Sequence, residues 1–373
     1  MMNRIRICDI AEQIRGVSYK PSDIHDTLNE NSVILLRANN IFDGKINFDD
    51  VVYVDKSKVS EKQYLKKGDI LICASSGSKQ LVGKAASVNV DVECTFGAFC
   101  KVVRPINDVA DYLGVYFQSD VYRRKISELS VGANINNIKN EHIDLLEIPA
   151  YNGILTDSFV DKIFKTQTII EKRKQQLQQL DDLVKSRFVE LFGDPITNPM
   201  GWKLYRFDSL CENLDSRRKP ITASERVAGI YPYYGASGIV DYVSDYIFDE
   251  NILLISEDGA NLLMRSTPIA FSVSGKVWVN NHAHVVRFEK MSMQKYVEVF
   301  FSLIDISDYI TGSAQPKLNQ AKLNSMMFPL PSNEQLEMFL RFIEKTDKSK
   351  LVVQKALDEA QTLFDSLMQE YFE

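Results

Sequence analysis

Apolar positions along this chain follow two patterns, one with the seven-residue period of paired helices and one with the short runs of strands. Over about 155–193, Ile163, Ile170, Leu177, Val184 and Leu191 recur every seven residues, with Phe159 and Leu180 at intervening positions. Over about 335–373 the same frame holds Ile343, Leu357, Phe364 and Tyr371, and the other holds Phe339, Val353, Ala360 and Leu367. Such stripes predict two long helices, and the intervening EKRKQQLQQLDD is rich in strong helix formers. Each stripe is broken where the other is apolar: Arg173 aligns with Val353, and Lys350 with Ile170. The favoured reading pairs the helices with each other; the alternative packs each on its own domain. About thirty-five helical residues at ~1.5 Å each make a rod on the order of 50 Å, the dimension of a spacer.

Elsewhere the runs are short. VILLRANNI (33–41), DVVYV (50–54), GDILICAS (68–75) and FCKVVRP (99–105) lie in 1–131, broken by Gly, Asp and Asn. NILLIS (251–256), IAFSV (269–273), KVWV (276–279) and HVVRF (284–288) give 202–311 the same texture. Both stretches predict compact sheet-rich domains with some helix. FGDPITNPMGW (192–202), with Gly193, Pro195 and Pro199, stops the first helix and opens the second domain. The expected layout is a domain over 1–152, a long helix over 153–194, a domain over 195–331 and a long helix over 332–373.

The two halves are related. GANINNIKNEHIDLLEIP (132–149) lies over GSAQPKLNQAKLNSMMFP (312–329), with apolar matches at Ile138/Leu318, Ile143/Leu323, Leu146/Met326 and Ile148/Phe328. The register continues without a gap through Phe159/Phe339, Ile163/Ile343, Leu177/Leu357 and Phe192/Phe372. Two similar modules in one chain imply a partner that is itself two-fold or bipartite.

With 373 residues the chain suits two domains, and 45% hydrophobic with 25% charged residues describes an ordinary globular protein. No apolar run approaches the roughly 20 residues that span a bilayer, and the start MMNRIRICDI lacks an apolar signal core. Five cysteines without a CxxC pair point to reduced thiols and a cytoplasmic location. A net charge of −6 counts mildly against nucleic acid, although a local basic face can sit on an acidic protein.

LQQLDDLVKSRFVELFGDPITNPMGW resembles the central region of specificity subunits from type I restriction–modification systems. YPYYGASGIVDYV, LLISEDGANL, KVWVNNHAHVVRF and TGSAQPKLNQ followed by FPLPSNEQ are similar to motifs of one recognition-domain type in that family. The resemblance covers both helices and nearly all of 192–373, and is weaker over 1–131. It implies an α+β fold: two sheet-containing target recognition domains, related by pseudo-two-fold symmetry and separated by two long helices in an antiparallel coiled coil. It also implies that each domain reads half of a bipartite site on double-stranded DNA, while the helices bind two modification subunits. Restriction subunits would join them, and S-adenosylmethionine, ATP and Mg would belong to those partners, with no cofactor in this chain.

Base edges call for Asn, Gln, Arg, Lys and Ser on rigid turns, and phosphates for Lys, Arg and backbone amides. In the first domain the candidates are Arg37, Asn39, Asn40, Ser76, Lys79, Lys84, Asn136 and Lys139. In the second they are Arg217, Arg218, Lys219, Tyr233, Tyr234, Ser237, Asn261, Asn280, Asn281, His282, Gln315 and Lys317. Glu257 and Asp258 repel phosphate, so they suit accepting from cytosine amino groups or orienting neighbouring turns. The helix-pairing set is Ile163, Ile170, Leu177, Leu180, Val184 and Leu191 with Ile343, Val353, Leu357, Phe364 and Leu367. Phe164, Ile169 and Leu351, off the main stripe, suit partner docking or packing on their own domain.

No catalytic constellation stands out. Gly77 to Ala85 misses the phosphate-loop pattern by one residue between its glycines and has Ala85 where Ser or Thr is needed. Asn198-Pro199-Met200-Gly201 lacks the pattern with which amino-methyltransferases hold a base, and no strand–GxG–helix unit offers a cofactor site. His282 and His284 alternate on a strand and so point to opposite faces. A recognition and scaffold subunit without catalysis is the expectation. The alternatives are the same subunit in a system with fused modification and cleavage, or a coiled-coil bridge without DNA affinity.

Overall fold

The computed structural model describes residues 3–78, 80–89, 91–106, 108–129, 136–312 and 315–373, the side chains of Asn136 and Leu155 excepted. Two compact units result: Met1–Lys172 with Leu357–Glu373, and Arg173–Ala356. Each unit therefore takes part of both long helices, Gly153–Phe192 and Asn333–Phe372.

In the first unit an antiparallel sheet orders its strands Ala85–Ser87, Ile70–Cys73, Cys100–Pro105, Ala11–Arg15. A second sheet sets Cys94–Phe96 parallel to Ser32–Leu36, which pairs antiparallel with Val52–Asp55. In the second unit the corresponding order is Ala270–Val273, Ile252–Ser256, Ala283–Arg287, Glu212–Asn213, again antiparallel. There Lys276–Val279 lies parallel to Ala228–Gly235, which pairs antiparallel with Gly238–Val243. The duplication thus extends through the strands.

The same junction recurs where each unit feeds a helix. Arg4–Arg6 pairs with Glu147–Pro149, and Leu204–Arg206 with Met327–Pro329. Buried Tyr112 donates from its hydroxyl to the Pro149 carbonyl at 2.6 Å, and buried Tyr296 donates likewise to Pro329. Burial raises both phenols above their ordinary pKa, so they stay protonated donors.

Within the first unit Phe159, Val160 and Ile163 of the first long helix share a core with Met368 and Phe372 of the second. Within the second unit Val184, Phe188 and Phe192 share one with Leu336, Phe339 and Ile343. The start of each helix therefore meets the end of the other, an antiparallel pairing. Ile163, Ile170, Val184, Ile343 and Val353 are buried; Leu177, Leu180, Leu191, Leu357, Phe364 and Leu367 are half-buried. The two readings of the stripes combine, because the same apolar ends that pair also complete the sheet-domain cores. Buried Thr166 and Thr346, 180 positions apart in the stripe, donate to the Lys162 and Phe342 carbonyls at 2.8 and 3.0 Å. That local bond lets a hydroxyl sit in a dry seam. Lys350, the break in the second stripe, reaches Asp181 at 2.5 Å.

Candidate nucleic-acid interface

The sequence-predicted turns of the second unit come together at one end of its sheets. A cleft of about 770 Å³ is lined by Gly235–Ser237, Asp258–Asn261 and Asn280–His282, with Thr222 and Arg226 on another side. Backbone bonds fix the three turns: Asn280 N–H donates to Tyr234 O at 3.0 Å, and Glu257 N–H to His282 O at 2.9 Å. Leu318 N–H donates to Glu257 O at 2.8 Å, and Gly259, at φ 103°, turns its N–H onto Pro316 O at 3.0 Å. A positive φ is where glycine costs least, so Gly259 permits the turn.

Equivalent bonds recur in the first unit. Gly97 N–H donates to Leu36 O at 2.9 Å, Ala74 N–H to Phe99 O at 2.9 Å, and Ile138 N–H to Ala74 O at 2.8 Å. These match Asn280 with Gly97, Glu257 with Ala74, His282 with Phe99, and Leu318 with Ile138. The turns Arg37–Asn40 and Gly235–Gly238 are thereby equivalent, as are Ser75–Ser76 and Asp258–Gly259.

Many expected contact residues are committed inside the protein. Asn40 is buried and donates to the Asn47 and Asp50 carbonyls at 2.9 and 3.0 Å while accepting from Arg37 N–H at 2.8 Å. Arg37 and exposed Asn39 both donate to the Asp50 carboxylate, at 2.9 and 2.7 Å. Tyr233 is buried beneath the Arg226 guanidinium, 4.5 Å from its ring centre, and its hydroxyl accepts from Ile221 N–H at 3.2 Å. Tyr234 is half-buried and packs towards Phe271. Asn280 is buried and caps the turn by accepting from His282 N–H at 2.8 Å. Asn261 spans its own turn, accepting from Thr267 N–H at 3.0 Å and donating to Thr267 O at 3.0 Å. Arg217 donates to Glu250 at 2.7 Å and lies over Phe248. Asn40, Asn280 and Tyr233 thus bond within the fold while buried, whereas half-buried Asn261 and exposed Arg217 hold internal partners at the surface.

Arg218 is a brace, at the centre of a charged network. Its Nη1 donates to Glu257 Oε2 at 2.6 Å and to the Ala283 carbonyl at 2.8 Å, and Nη2 lies 3.4 Å from Asp215. His284, buried, has Nδ1 2.6 Å from Asp215 and Nε2 2.8 Å from the Leu318 carbonyl. Lys317 reaches Glu257 at 3.1 Å. Burial works to raise the Asp215 carboxyl, but His284, the Val285 N–H and Arg218 outweigh it and hold its pKa below the ordinary value. Glu257 is lowered in the same way, its burial outweighed by Arg218, His284 and Lys317. Asp215, Glu257 and His284 bring ligand atoms within 4.8 Å of one another. Arg218 and Lys317 neutralise those carboxylates where a metal ion would need them, so the donor set suits an ion-pair brace.

Besides Asn39 and Arg217, other candidates lie on the surface. Ser237, Asn281, His282, Gln315 and Lys317 are exposed in the second unit, as is Lys219, whose carbonyl accepts from Trp278 Nε1 at 2.6 Å. His282 Nδ1 lies 2.9 and 3.0 Å from the Asp258 carboxylate oxygens. In the first unit Lys84 is half-buried, Ser76 accepts from Ser78 N–H at 3.1 Å, and Lys139 lies 3.3 Å from Glu141. Lys79 and the side chain of Asn136 lie outside the described residues. Phe99, absent from the predicted set, is 72% exposed. Its signal was the strand run that starts at 99, which aligns with the one at 282 only when the offset changes from 180 to 183. Phe164, Ile169 and Leu351 are exposed on the long helices.

Residues 199–359 match the family described as Type I restriction modification DNA specificity domain. The type I restriction enzyme StySPI specificity subunit of Salmonella potsdam is 38% identical over 180 residues, 48% of this chain and 39% of that protein. The EcoKI specificity subunit of Escherichia coli strain K12 is 35% identical over 203 residues, 54% of this chain and 44% of that protein. These matches span less than half of each relative's own length. Over the whole chain the fold is that of the type I restriction–modification S subunit from M. genitalium, with a TM-score of 0.56 at 14% identity, covering 100% of this chain and 96% of that one. A chain from a structure of the assembly and conformational transition of the type I R-M system gives 0.52 at 13% identity, covering 100% and 97%.

Proposed function

From the match over 199–359, the partial likeness to specificity subunits and the shared fold, we propose that this chain is the DNA-reading and scaffolding member of a type I restriction–modification complex. Each unit reads one half of a split site on double-stranded DNA, and the base pairs between the halves go unread. The observation that carries this reading is the duplicated sheet end. Two units repeat the same strand order and the same ties between turns, yet present different side chains. A scaffold held constant beneath varied residues suits two readers of two different short sequences.

Phosphate neutralisation falls to lysines such as exposed Lys219 and half-buried Lys84, which position the duplex without choosing its sequence. Methyl transfer, with its S-adenosylmethionine, belongs to modification subunits, and ATP- and Mg-dependent cleavage to restriction subunits. The exposed helix positions Phe164, Ile169 and Leu351 offer apolar area for that docking. No helix among the described residues is long and apolar enough to cross a membrane, in keeping with a role on DNA. The test mixes the purified chain with its modification subunit, S-adenosylmethionine and duplex DNA. Methylation confined to a two-part motif, and absent with either protein alone, is expected. Methylation by the chain alone would overturn the reading.

A further inference from the structure

Phe99 and His282 occupy one position in the duplicated fold. Each follows a parallel-paired strand, each gives its carbonyl to the amide after the central strand (Ala74 and Glu257, both 2.9 Å), and each side chain faces outward. Their neighbours match as well, Gly97 and Asn280 donating to Leu36 and Tyr234. The backbone is thus held alike in both units while the side chain changes from an apolar ring to a hydrogen-bonding one.

Phe99 leaves 72% of its surface in water, which forgoes apolar burial, and it joins none of the apolar cores among the described residues. His282 is half exposed and is fixed from behind by Asp258, which is itself largely buried. A carboxylate only accepts, so Nδ1 must carry the hydrogen; in the singly protonated ring that leaves Nε2 as an outward acceptor. Asn281 and Ser237, both exposed, line the same cleft as the Asp258 turn. Asn40, Asn280, Tyr233 and Arg218, which the sequence offered for the same task, each bond within the fold.

Resting on the two-half-site reading, we infer that Phe99 and His282 are the equivalent base-reading side chains of the two units. His282, oriented by Asp258, accepts through Nε2 from the exocyclic amino group of an adenine or cytosine in one half-site. Phe99 makes an apolar contact with a thymine methyl in the other. Asp258 is a positioning residue, since it acts through the ring and not on the base.

The complex of the full chain with its modification subunit tests this, using fluorescent duplexes that carry the wild-type motif or a single base-pair change at each position. His282→Ala is expected to cut discrimination at one base pair of one half-site by about 5- to 100-fold, leaving the other half unchanged. Phe99→Ala should do the same at one base pair of the opposite half. Asp258→Ala should relax the base pair that His282→Ala relaxes, with no added effect in the double variant, and Asp258→Asn, which keeps an acceptor for Nδ1–H, should restore most of the discrimination. His282→Gln and Phe99→Leu serve if an alanine variant binds too weakly to measure. Unchanged discrimination at every position, at whatever affinity, overturns the inference while leaving the bipartite reading intact. A wild-type complex that shows no two-part preference overturns both.

Discussion

The rings of Phe159 and Tyr371 stack face to face, 3.9 Å between centres and 7° from parallel, where the start of the first long helix meets the end of the second. Tyr371 also shares a hydrogen bond of 2.9 Å with the Thr156 hydroxyl, so the contact is apolar on one side and polar on the other. Phe159 packs in turn on Phe372 within the first-unit core. Phe159→Ala is expected to cost about 3–5 kcal/mol through lost burial and a cavity that the stacked rings cannot refill. Thermal unfolding followed by circular dichroism should show it. A shift under about 1 kcal/mol would mean that the stack contributes little.

Lys350 predicts the opposite behaviour. It interrupts an apolar stripe, yet its ion pair with Asp181 is substantially exposed, and such pairs contribute about 0–1 kcal/mol. Lys350→Leu should therefore leave the urea midpoint unchanged or raise it. Phe339→Ala, at a fully buried ring against Phe188 and Phe192, should lower it by about 3–5 kcal/mol in stability. Both tryptophans, Trp202 and Trp278, lie in the second unit, so their fluorescence reads these variants directly.

Acid should loosen the second unit through the Arg218 network. Asp215 and Glu257 have folded pKa values below their ordinary 3.8 and 4.5. For a depressed carboxyl the stabilisation is complete above the ordinary value and is lost as pH falls through the lower folded one. Tryptophan-monitored urea midpoints between pH 6 and pH 3 should drop below about pH 4.5. The Asp215→Asn and Glu257→Gln double variant, less stable at pH 6, should show a shallower drop over the same range. Parallel curves would place the acid sensitivity elsewhere.

Lys219 is expected to report on phosphate and not on sequence. Lys219→Ala should weaken binding by the assembled complex about equally for matched and mismatched duplexes and reduce the slope of log affinity against log salt by about one. A change confined to one base pair would instead make it a base reader.

The helices were legible because their signal is periodic and local. The stripes and their gapless register place Gly153–Phe192 and Asn333–Phe372 at the same 180-residue offset as Phe159 and Phe339. Strand runs such as GDILICAS and NILLIS were legible for the same reason and became Ile70–Cys73 and Ile252–Ser256. Which polar residues turn inward was not legible, because residue type does not reveal the direction of a side chain. Asn40 and Asn280 look like readers in sequence, yet each bonds to backbone made available only by the fold. The Arg218 brace assembles Asp215, Glu257, His284 and Lys317 across long separations, which no spacing rule detects. Phe99 was hidden by its apolar type and by the shift of offset from 183 in the strands to 180 in the helices.

The central claim is that two units of one chain read two halves of a split DNA site. Its most direct measurement is base-resolution mapping of methylated positions across a host genome that carries the modification subunit, with and without this chain. The account predicts that one two-part motif, interrupted by positions of no preference, is methylated only when the chain is present. Methylation at a single uninterrupted motif, or a pattern that does not depend on the chain, would contradict it.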